Sequence, residues 1–271
     1  MGIKKLLSKE KTMSPLDKIN KRRRLLLESI LVDYGKLKGL EIGPLDNPVI
    51  KKNKADISCI DYFDAESLRK KISHNPDRDP SRVVELDYVL AGKKISEVVP
   101  EERYDYIFSS HVMEHLPNMF GWMRDVGKII KQGGYIIAFI PDKRYCFDIN
   151  RPLSTVGELL ESYEIDRTKP SLANAFDQRY YHKKVRSVDL WSDYSVHESE
   201  ISKTFGLKKS YEALELAKKD YFDCHCNLFT PDTFTESIEV SIDLGIQPFH
   251  LEKIIETKTP NLDFLVLLKK N

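Results

Sequence analysis

Apolar residues in the N-terminal half of the chain occur in short runs, separated by longer polar stretches of helical character. Five runs have the length of a buried strand: residues 39–42, 57–60, 83–86, 104–109 and 135–140. Because a helix fits between successive runs, the pattern predicts βα units and a mostly parallel sheet. Two further runs, 249–256 and 262–269, predict a closing hairpin whose last strand lies antiparallel beside the fifth.

Ligands of such sheets bind beyond the carboxyl ends of the strands. The first predicted strand ends at Gly43 and the second at Asp61. A glycine lets the backbone approach a ligand closely, and an acidic residue about 20 positions later binds ribose hydroxyls. A dinucleotide site has the pattern G-x-G-x-x-G, whereas Gly43 stands alone before Pro44. The pattern therefore favours an adenosine cofactor without a phosphate, such as S-adenosylmethionine, with an ordinary strand-to-turn glycine as the alternative.

Four segments together resemble the class I S-adenosylmethionine-dependent methyltransferases. They are Leu-Glu-Ile-Gly at 40–43, the acidic strand end at 59–62, the strand and following turn at 104–117, and the helix, Gly-Gly turn and strand at 126–141. The resemblance implies an α/β fold with a Rossmann-like sheet, mostly parallel with the last strand antiparallel, and S-adenosylmethionine as cofactor. The first motif carries fewer glycines than is usual in the family.

The resemblance also implies which residues contact the cofactor. For Asp61 and Asp87, the alternative is an ordinary structural role at the end of a strand. The implied contacts are Glu41, Gly43 and Pro44 at the methionyl part, Asp61 at the ribose, Tyr62 and Leu86 against the adenine ring, Asp87 at its amino group, and Ser109 and Ser110 near the sulfonium.

Composition is that of a soluble globular protein. Hydrophobic residues make up 41% of the 271 residues, charged residues 31%, and the net charge is +1. Nothing in this balance calls for a nucleic-acid partner, and no apolar run approaches the roughly 20 residues that cross a bilayer. Without a signal-peptide core or a disulfide framework among the four cysteines, we expect a cytoplasmic protein.

Charge and aromatic content divide the chain into three parts. Residues 1–36 form a basic helical segment, with nine Lys and Arg against two acidic residues in 1–24. This segment either packs on the domain or contacts an anionic partner, such as a phosphorylated or lipid-linked substrate or a membrane surface. Residues 37–149 and 231–271 form the methyltransferase core. Residues 150–230, rich in aromatic and charged side chains, predict an inserted cap over the acceptor, with homo-oligomer contacts as a second use.

A hydroxyl acceptor needs a general base, and neutral histidine suits that task. The candidate catalytic residues are His111, His197, His225 and Asp142, and the candidate substrate-binding residues are Lys143, Arg144 and Tyr145. The spacing His111-x-x-Glu114-His115 is similar to a metal-binding pattern but lacks a third ligand nearby. Because the family resemblance makes Glu114 and His115 part of a helix start, no metal is predicted.

The segments 142–148 and 228–234, together with the aromatic cap, resemble a methyltransferase subgroup of bacterial surface-polysaccharide gene clusters. This resemblance implies capsule-type polysaccharide biosynthesis, with O-methylation of a sugar hydroxyl on a nucleotide- or lipid-linked glycan precursor. The alternatives are another small acceptor (a carboxylate, an amine, or a lipid or quinone) and a degenerate cofactor fold that serves as a scaffold.

Overall fold

The computed structural model describes residues 15–197 and 205–271, and within them seven strands form one sheet. The strands are β1 (Lys38–Ile42), β2 (Asp56–Asp61), β3 (Tyr88–Val89), β4 (Tyr104–Ser110), β5 (Ile130–Pro141), β6 (Phe249–Ile255) and β7 (Asp263–Lys270). Their order is β3-β2-β1-β4-β5-β7-β6. The first five strands pair in parallel, and β7 is antiparallel to both β5 and β6. The predicted Rossmann-like sheet with an antiparallel last strand is confirmed.

Nine helices among the described residues surround this sheet or extend from it. They are α1 (Pro15–Ile30), α2 (Ala65–Ile72), α3 (Ile95–Val98), α4 (Met119–Ile129), α5 (Val156–Glu164), α6 (Leu172–Tyr180), α7 (Ser187–Ser192), α8 (Gly206–Lys219) and α9 (Pro231–Asp243). Local sequence fixes several helix starts. Thr155 and Glu158, for example, form a reciprocal capping box at the start of α5.

Successive side chains of a strand point to opposite faces of the sheet, so the main core consists of one cluster on each face. Ile136, Ala138 and Ile140 of β5 face the cluster that contains side chains of α4, α5 and α9. Ile137 and Phe139 face the opposite cluster, to which α1 contributes. This period of two is the one expected for a sheet covered on both faces.

The basic helix α1 is bonded to the core through its polar side chains as well as its apolar ones. Arg22 Nη1 and Arg23 Nη2 donate to the two carboxylate oxygens of Asp263, at 2.6 and 2.8 Å. Asn20 Nδ2 donates to the Asn47 carbonyl oxygen at 3.1 Å. Part of the basic charge is thus paired with the domain, and the further basic residues of 1–14 lie outside the described residues.

The third strand is not where the apolar run at 83–86 predicts it. β3 comprises Tyr88 and Val89, which are in register with Ile60 and Asp61 of β2. Val83 is instead buried in a small cluster with apolar side chains of α2. That apolar run is therefore wrongly assigned to a strand, because its side chains cover a helix and its backbone pairs with no strand.

The chain leaves the sheet after β5 and returns to the same point. Asp142 forms a parallel bridge with Phe229, and Lys143 N donates to the Phe229 carbonyl oxygen at 2.9 Å. Between these points, α5 packs against α4 and α9 in the core, whereas α6 and α8 pack against each other. No helix in the described ranges is long and apolar enough to cross a membrane.

Candidate active site

The loop after β1 starts at Gly43, whose backbone has a φ of +66°. Its N–H donates to the carbonyl oxygen of Ile60 at 2.9 Å, which ties the loop to β2. A β-carbon added at Gly43 would lie 3.2 Å from Val112 Cγ2. Both the positive φ and the tight contact favour glycine at this point of the sheet edge.

Glu41 lies beneath this loop with 2% of its surface exposed. Its Oε1 accepts from Val49 N at 2.7 Å and its Oε2 from Ile50 N at 3.0 Å. Burial raises the pKa of Glu41 to about 7, although these two backbone hydrogen bonds lower it in part. Pro44 opens the loop that Glu41 supports, and its carbonyl oxygen accepts from Asn47 N at 3.0 Å. Glu41 therefore holds the loop shape from below.

The carboxyl end of β2 presents a carboxylate and an exposed ring. Asp61 Oδ1 accepts from the N–H of Tyr62 at 2.7 Å. Burial raises the pKa of Asp61, against the lowering effect of the Tyr62 and Phe63 N–H groups. The Tyr62 side chain is 50% exposed and contacts the Phe63 ring edge-to-face at 4.9 Å. Asp61 and Tyr62 together offer a carboxylate and an aromatic surface, which are groups that suit an adenosine.

Asp87 lies before β3, so the strand-end argument for its role does not hold. Its Oδ2 accepts from Cys59 N at 2.8 Å and from Lys52 Nζ at 2.7 Å. Leu86, beside it, is partly buried against the cluster of α2. Contacts of Leu86 and Asp87 with the adenine stay predictions.

The carboxyl end of β3 is formed by the two residues that follow it and not by Asp87, which precedes it. Leu90 N donates to the Asp61 carbonyl oxygen at 2.9 Å, and Ala91 N donates to that of Tyr62 at 3.0 Å. Ala91 has a φ of 47° and is followed by Gly92 at 88°. The sequence reasoning missed this turn, although Ala-Gly after a short apolar run is its signal.

The end of β4 lies between the ends of β1 and β5. Ser109 is in register with Ile42 on one side and Ala138 on the other, and Ser110 follows it. Ser109 Oγ is buried and has no hydrogen-bond partner in the described part of the chain. An orphaned hydroxyl is costly unless a ligand pairs with it. Together with Gly43 and Asp61, it forms an edge that fits a cofactor without phosphates.

Three histidines cluster beyond β4, and each has a carboxylate partner. Their hydrogen-bonded pairs are His111 Nε2 with Asp263 Oδ2 at 3.2 Å, His115 Nδ1 with Asp223 Oδ1 at 2.9 Å, and His225 Nδ1 with Asp148 Oδ2 at 2.5 Å. His111 adopts a φ of 57°, a strained conformation for a residue with a side chain, of the kind that occurs at functional sites. Its second ring nitrogen, Nδ1, lies 3.5 Å from Glu114 Oε1.

The chain segment around His225 is fastened to the turn Met113–His115. Cys226 N and Asn227 N donate to the Glu114 carbonyl oxygen at 2.6 and 3.1 Å. Asn227 Nδ2 donates to the carbonyl oxygens of Met113 and Leu116 at 2.9 and 2.8 Å. These bonds place His225 beside His115, with ring centroids 4.7 Å apart.

Buried arginine side chains pair with the carboxylates that bind two of these histidines. Arg151 and Asp148 are 2% and 1% exposed and are joined by a 3.0 Å bond from Nη1 to Oδ1. Burial alone would raise the pKa of Asp148, but His225 and Arg151 hold it below its usual value. Likewise, His111 and the two arginines of α1 outweigh burial and keep the pKa of Asp263 low. Both carboxylates are therefore ionised near neutral pH.

The residues that follow β5 mostly bond to one another. Asp142 is fully buried, and its two oxygens accept from Arg144 Nε and Nη2 at 2.9 and 2.7 Å. Lys143 Nζ donates to a backbone carbonyl oxygen at 2.6 Å. Tyr145 stacks on Trp191 with ring centroids 3.9 Å apart. The roles of these four residues stay predictions, and the side chain of His197 lies outside the described part of the structure.

Comparison with known proteins agrees with this geometry. A family model described as a methyltransferase domain matches residues 38–236. A solved S-adenosylmethionine-dependent methyltransferase from Mesorhizobium loti is 13% identical, with 94% of this chain and 100% of that chain covered and a TM-score of 0.49. The PH0226 protein from Pyrococcus horikoshii is also 13% identical, with full coverage of both chains and a TM-score of 0.48. At these scores neither similarity defines the chemistry, and no curated protein matches the chain.

The family match spans most of the chain, so the chain belongs to the methyltransferase domain family. It is an enzyme that transfers a methyl group, and its cofactor is S-adenosylmethionine. The predicted fold, enzyme class and cofactor are confirmed, and the scaffold alternative falls.

Proposed function

We propose that the enzyme O-methylates a sugar hydroxyl on a nucleotide- or lipid-linked glycan precursor, in surface-polysaccharide biosynthesis. The observation that carries the proposal is the pair His111–Asp263 beyond β4, where the methyl group of the cofactor is expected. A neutral imidazole that donates through Nε2 to Asp263 keeps the lone pair of Nδ1 for a proton of the acceptor. Among common acceptors, an alcohol is the one that needs such a base.

The polar character of the acceptor side supports a sugar over an apolar acceptor. The side chains of His111, His115 and Asp223 are 31%, 34% and 52% exposed, so they present hydrogen-bonding groups rather than an apolar lining. The aromatic group of Tyr145, Trp191 and Tyr194 follows β5, and the Tyr194 side chain is 45% exposed. Sugar rings bind to such surfaces by hydrogen bonds and ring stacking. A carboxylate or amine acceptor is the second candidate, and a lipid or quinone fits least.

In the cofactor site, we propose that Gly43 and Ser109 border the methionyl and sulfonium groups, that Asp61 accepts from the ribose hydroxyls, and that Tyr62 covers the adenine. The Asp61→Ala variant is expected to bind S-adenosylmethionine at least about tenfold more weakly, because it loses charge-assisted hydrogen bonds to two hydroxyls. Calorimetric titration of the purified enzyme measures this change, with NAD as a ligand that is not expected to bind.

Asp64→Ala is the matched control, since Asp64 is an exposed helix cap only three residues away. It removes a carboxylate from the same segment without touching the strand end. Equal cofactor affinity of the Asp61→Ala variant and the wild type would remove Asp61 from the ribose site.

The acceptor is tested by incubating the enzyme with S-adenosylmethionine and a panel of nucleotide sugars, lipid-linked sugars, carboxylates and amines. Mass spectrometry detects an added methyl group, and fragmentation locates it on oxygen or nitrogen. Methyl transfer to sugars is the expected result. Transfer only to carboxylates or amines would overturn the sugar proposal and leave the enzyme class intact.

A further inference from the structure

We propose that Glu114, His115 and His225 form a binding site for one divalent transition-metal ion. A carboxylate oxygen of Glu114 and one ring nitrogen of each histidine lie within 4.8 Å of one another. Two imidazoles and one carboxylate that converge on a point with open positions are a recurrent ligand set for such ions. The sequence suggests only the first two ligands, because the fold brings the third from beyond α8.

The carboxylate of Glu114 provides a second, independent observation that indicates a bound ion. It is 1% exposed, and both its carboxylate oxygens are buried without a hydrogen-bond partner in the described residues. A buried carboxylate without partners is strongly disfavoured. His111 Nδ1, at 3.5 Å, is too far for a good hydrogen bond. A cation between Glu114 and the two histidines would supply the missing partner.

The histidines are oriented as metal ligands commonly are. Nδ1 of His115 is bonded to Asp223, and Nδ1 of His225 to Asp148. Such a carboxylate fixes the tautomer with the proton on Nδ1, so that Nε2 is the nitrogen left to bind an ion. The same bond raises the basicity of the ring, which strengthens binding.

The backbone around the three ligands is already fixed. Cys226 N and Asn227 N donate to the carbonyl oxygen of Glu114, so the turn that carries two ligands is bonded to the irregular segment that carries the third. Arg151 Nη2 donates to the His225 carbonyl oxygen at 3.1 Å. Binding an ion therefore requires little rearrangement of the chain.

The donor atoms indicate which ions fit. Mg²⁺, Ca²⁺ and Mn²⁺ prefer sites made of oxygen ligands, whereas imidazole suits Fe²⁺, Co²⁺, Ni²⁺ and Zn²⁺. Three protein ligands leave at least one coordination position for a water or a substrate oxygen. A closed structural site would fill that position with a fourth side chain.

The place of the site suggests its use, and this step rests on the proposed function. Glu114 follows β4 by four residues and lies beside His111, so a bound ion can also coordinate the acceptor hydroxyl. Coordination lowers the pKa of a hydroxyl. Its proton then passes to His111 Nδ1, the oxygen forms a bond to the methyl carbon as the carbon–sulfur bond breaks, and S-adenosylhomocysteine leaves with the electron pair on sulfur.

Binding of the metal ion is tested in the absence of any methyl donor or acceptor. The full-length enzyme is stripped with a chelator and titrated with Co²⁺, whose visible absorption bands report coordination by nitrogen and oxygen ligands. We expect one ion per chain for the wild type. We expect at least about tenfold weaker binding for Glu114→Gln and His225→Gln, and unchanged binding for His74→Gln, which alters an exposed histidine on another loop.

Asp223→Asn provides a variant that leaves all three ligands in place. It is expected to weaken Co²⁺ binding by about 10–100-fold with an unchanged near-ultraviolet circular dichroism spectrum, because it removes only the outer partner of His115. The absence of stoichiometric binding to the wild type, or equal binding to the His225→Gln variant, would overturn the metal site. Failure to methylate sugars while Co²⁺ binds would overturn the proposed acceptor alone.

Discussion

Because the carboxyl of Glu41 is buried, we expect the free energy of unfolding to depend on pH. Its pKa is about 7 in the folded protein, against an ordinary value of 4.5, because burial disfavours the charged form. Between these two values the folded state holds a proton that the unfolded chain has released. The free energy of unfolding therefore falls as the pH rises through this window. The contribution of Glu41 is complete below about pH 4.5 and is lost as the pH passes about 7.

The magnitude follows from the two pKa values. At about 1.4 kcal/mol per pH unit, the window from 4.5 to about 7 corresponds to about 3 kcal/mol. Glu41→Gln removes the titration but keeps the shape of the side chain. Its amide NH₂ faces one of the two backbone N–H groups of Val49 and Ile50, which costs about 1–3 kcal/mol.

The expected outcome is a difference between the two proteins that changes with pH. Near pH 5 the Glu41→Gln variant is less stable than the wild type by about 1–3 kcal/mol, and near pH 8 that deficit is gone or reversed. Urea unfolding followed by tryptophan fluorescence at several pH values measures it. Glu101→Gln, which alters an exposed carboxylate, is the control and should show no such trend. A constant difference across this range would refute the reasoning, since it would mean that Glu41 stays ionised in the fold.

Three further substitutions test packing and charge. Gly39→Ala should lower the free energy of unfolding by about 1–3 kcal/mol or more, because the added carbon would lie 2.3 Å from Cζ of the fully buried Tyr106 ring. Gly157→Ala, in an open position of α5, should instead stabilise by a few tenths to about 1 kcal/mol in the same urea assay. Asp263→Asn should cost about 3–5 kcal/mol, because it leaves the guanidinium of Arg23 buried without a full charge partner. A loss below about 1 kcal/mol in urea unfolding would show that this pair does not anchor α1.

The sheet was predictable because its apolar runs carry their own signal. Residues 39–42 and 135–140 are buried on both faces of a parallel sheet, and such strands are continuous apolar runs. The run at 83–86 is apolar for another reason, since Val83 covers α2, and local pattern does not separate the two cases. That error placed the expected end of the third strand at Leu86, whereas β3 ends at Val89.

The acceptor side was less predictable because its partners are distant in the chain. His111 pairs with Asp263, and His225 pairs with Asp148. Both contacts join residues that are distant in the sequence and meet only in the folded chain. No spacing rule links Glu114 to His225. Sequence reasoning could name the histidines as candidates but could not pair them with their carboxylates.

The bridge between Asp142 and Phe229 has a consequence for how such enzymes diverge. Because the chain departs from the sheet and rejoins it at one point, the part of the stretch that packs on itself, α6 and α8, can be lengthened or exchanged while β5 and β7 keep their register. The proposed donor site lies at the ends of β1, β2 and β4, which this stretch does not interrupt. We therefore expect relatives to keep the strands of the proposed donor site and to differ in this outer part, which the sequence predicts to cover the acceptor.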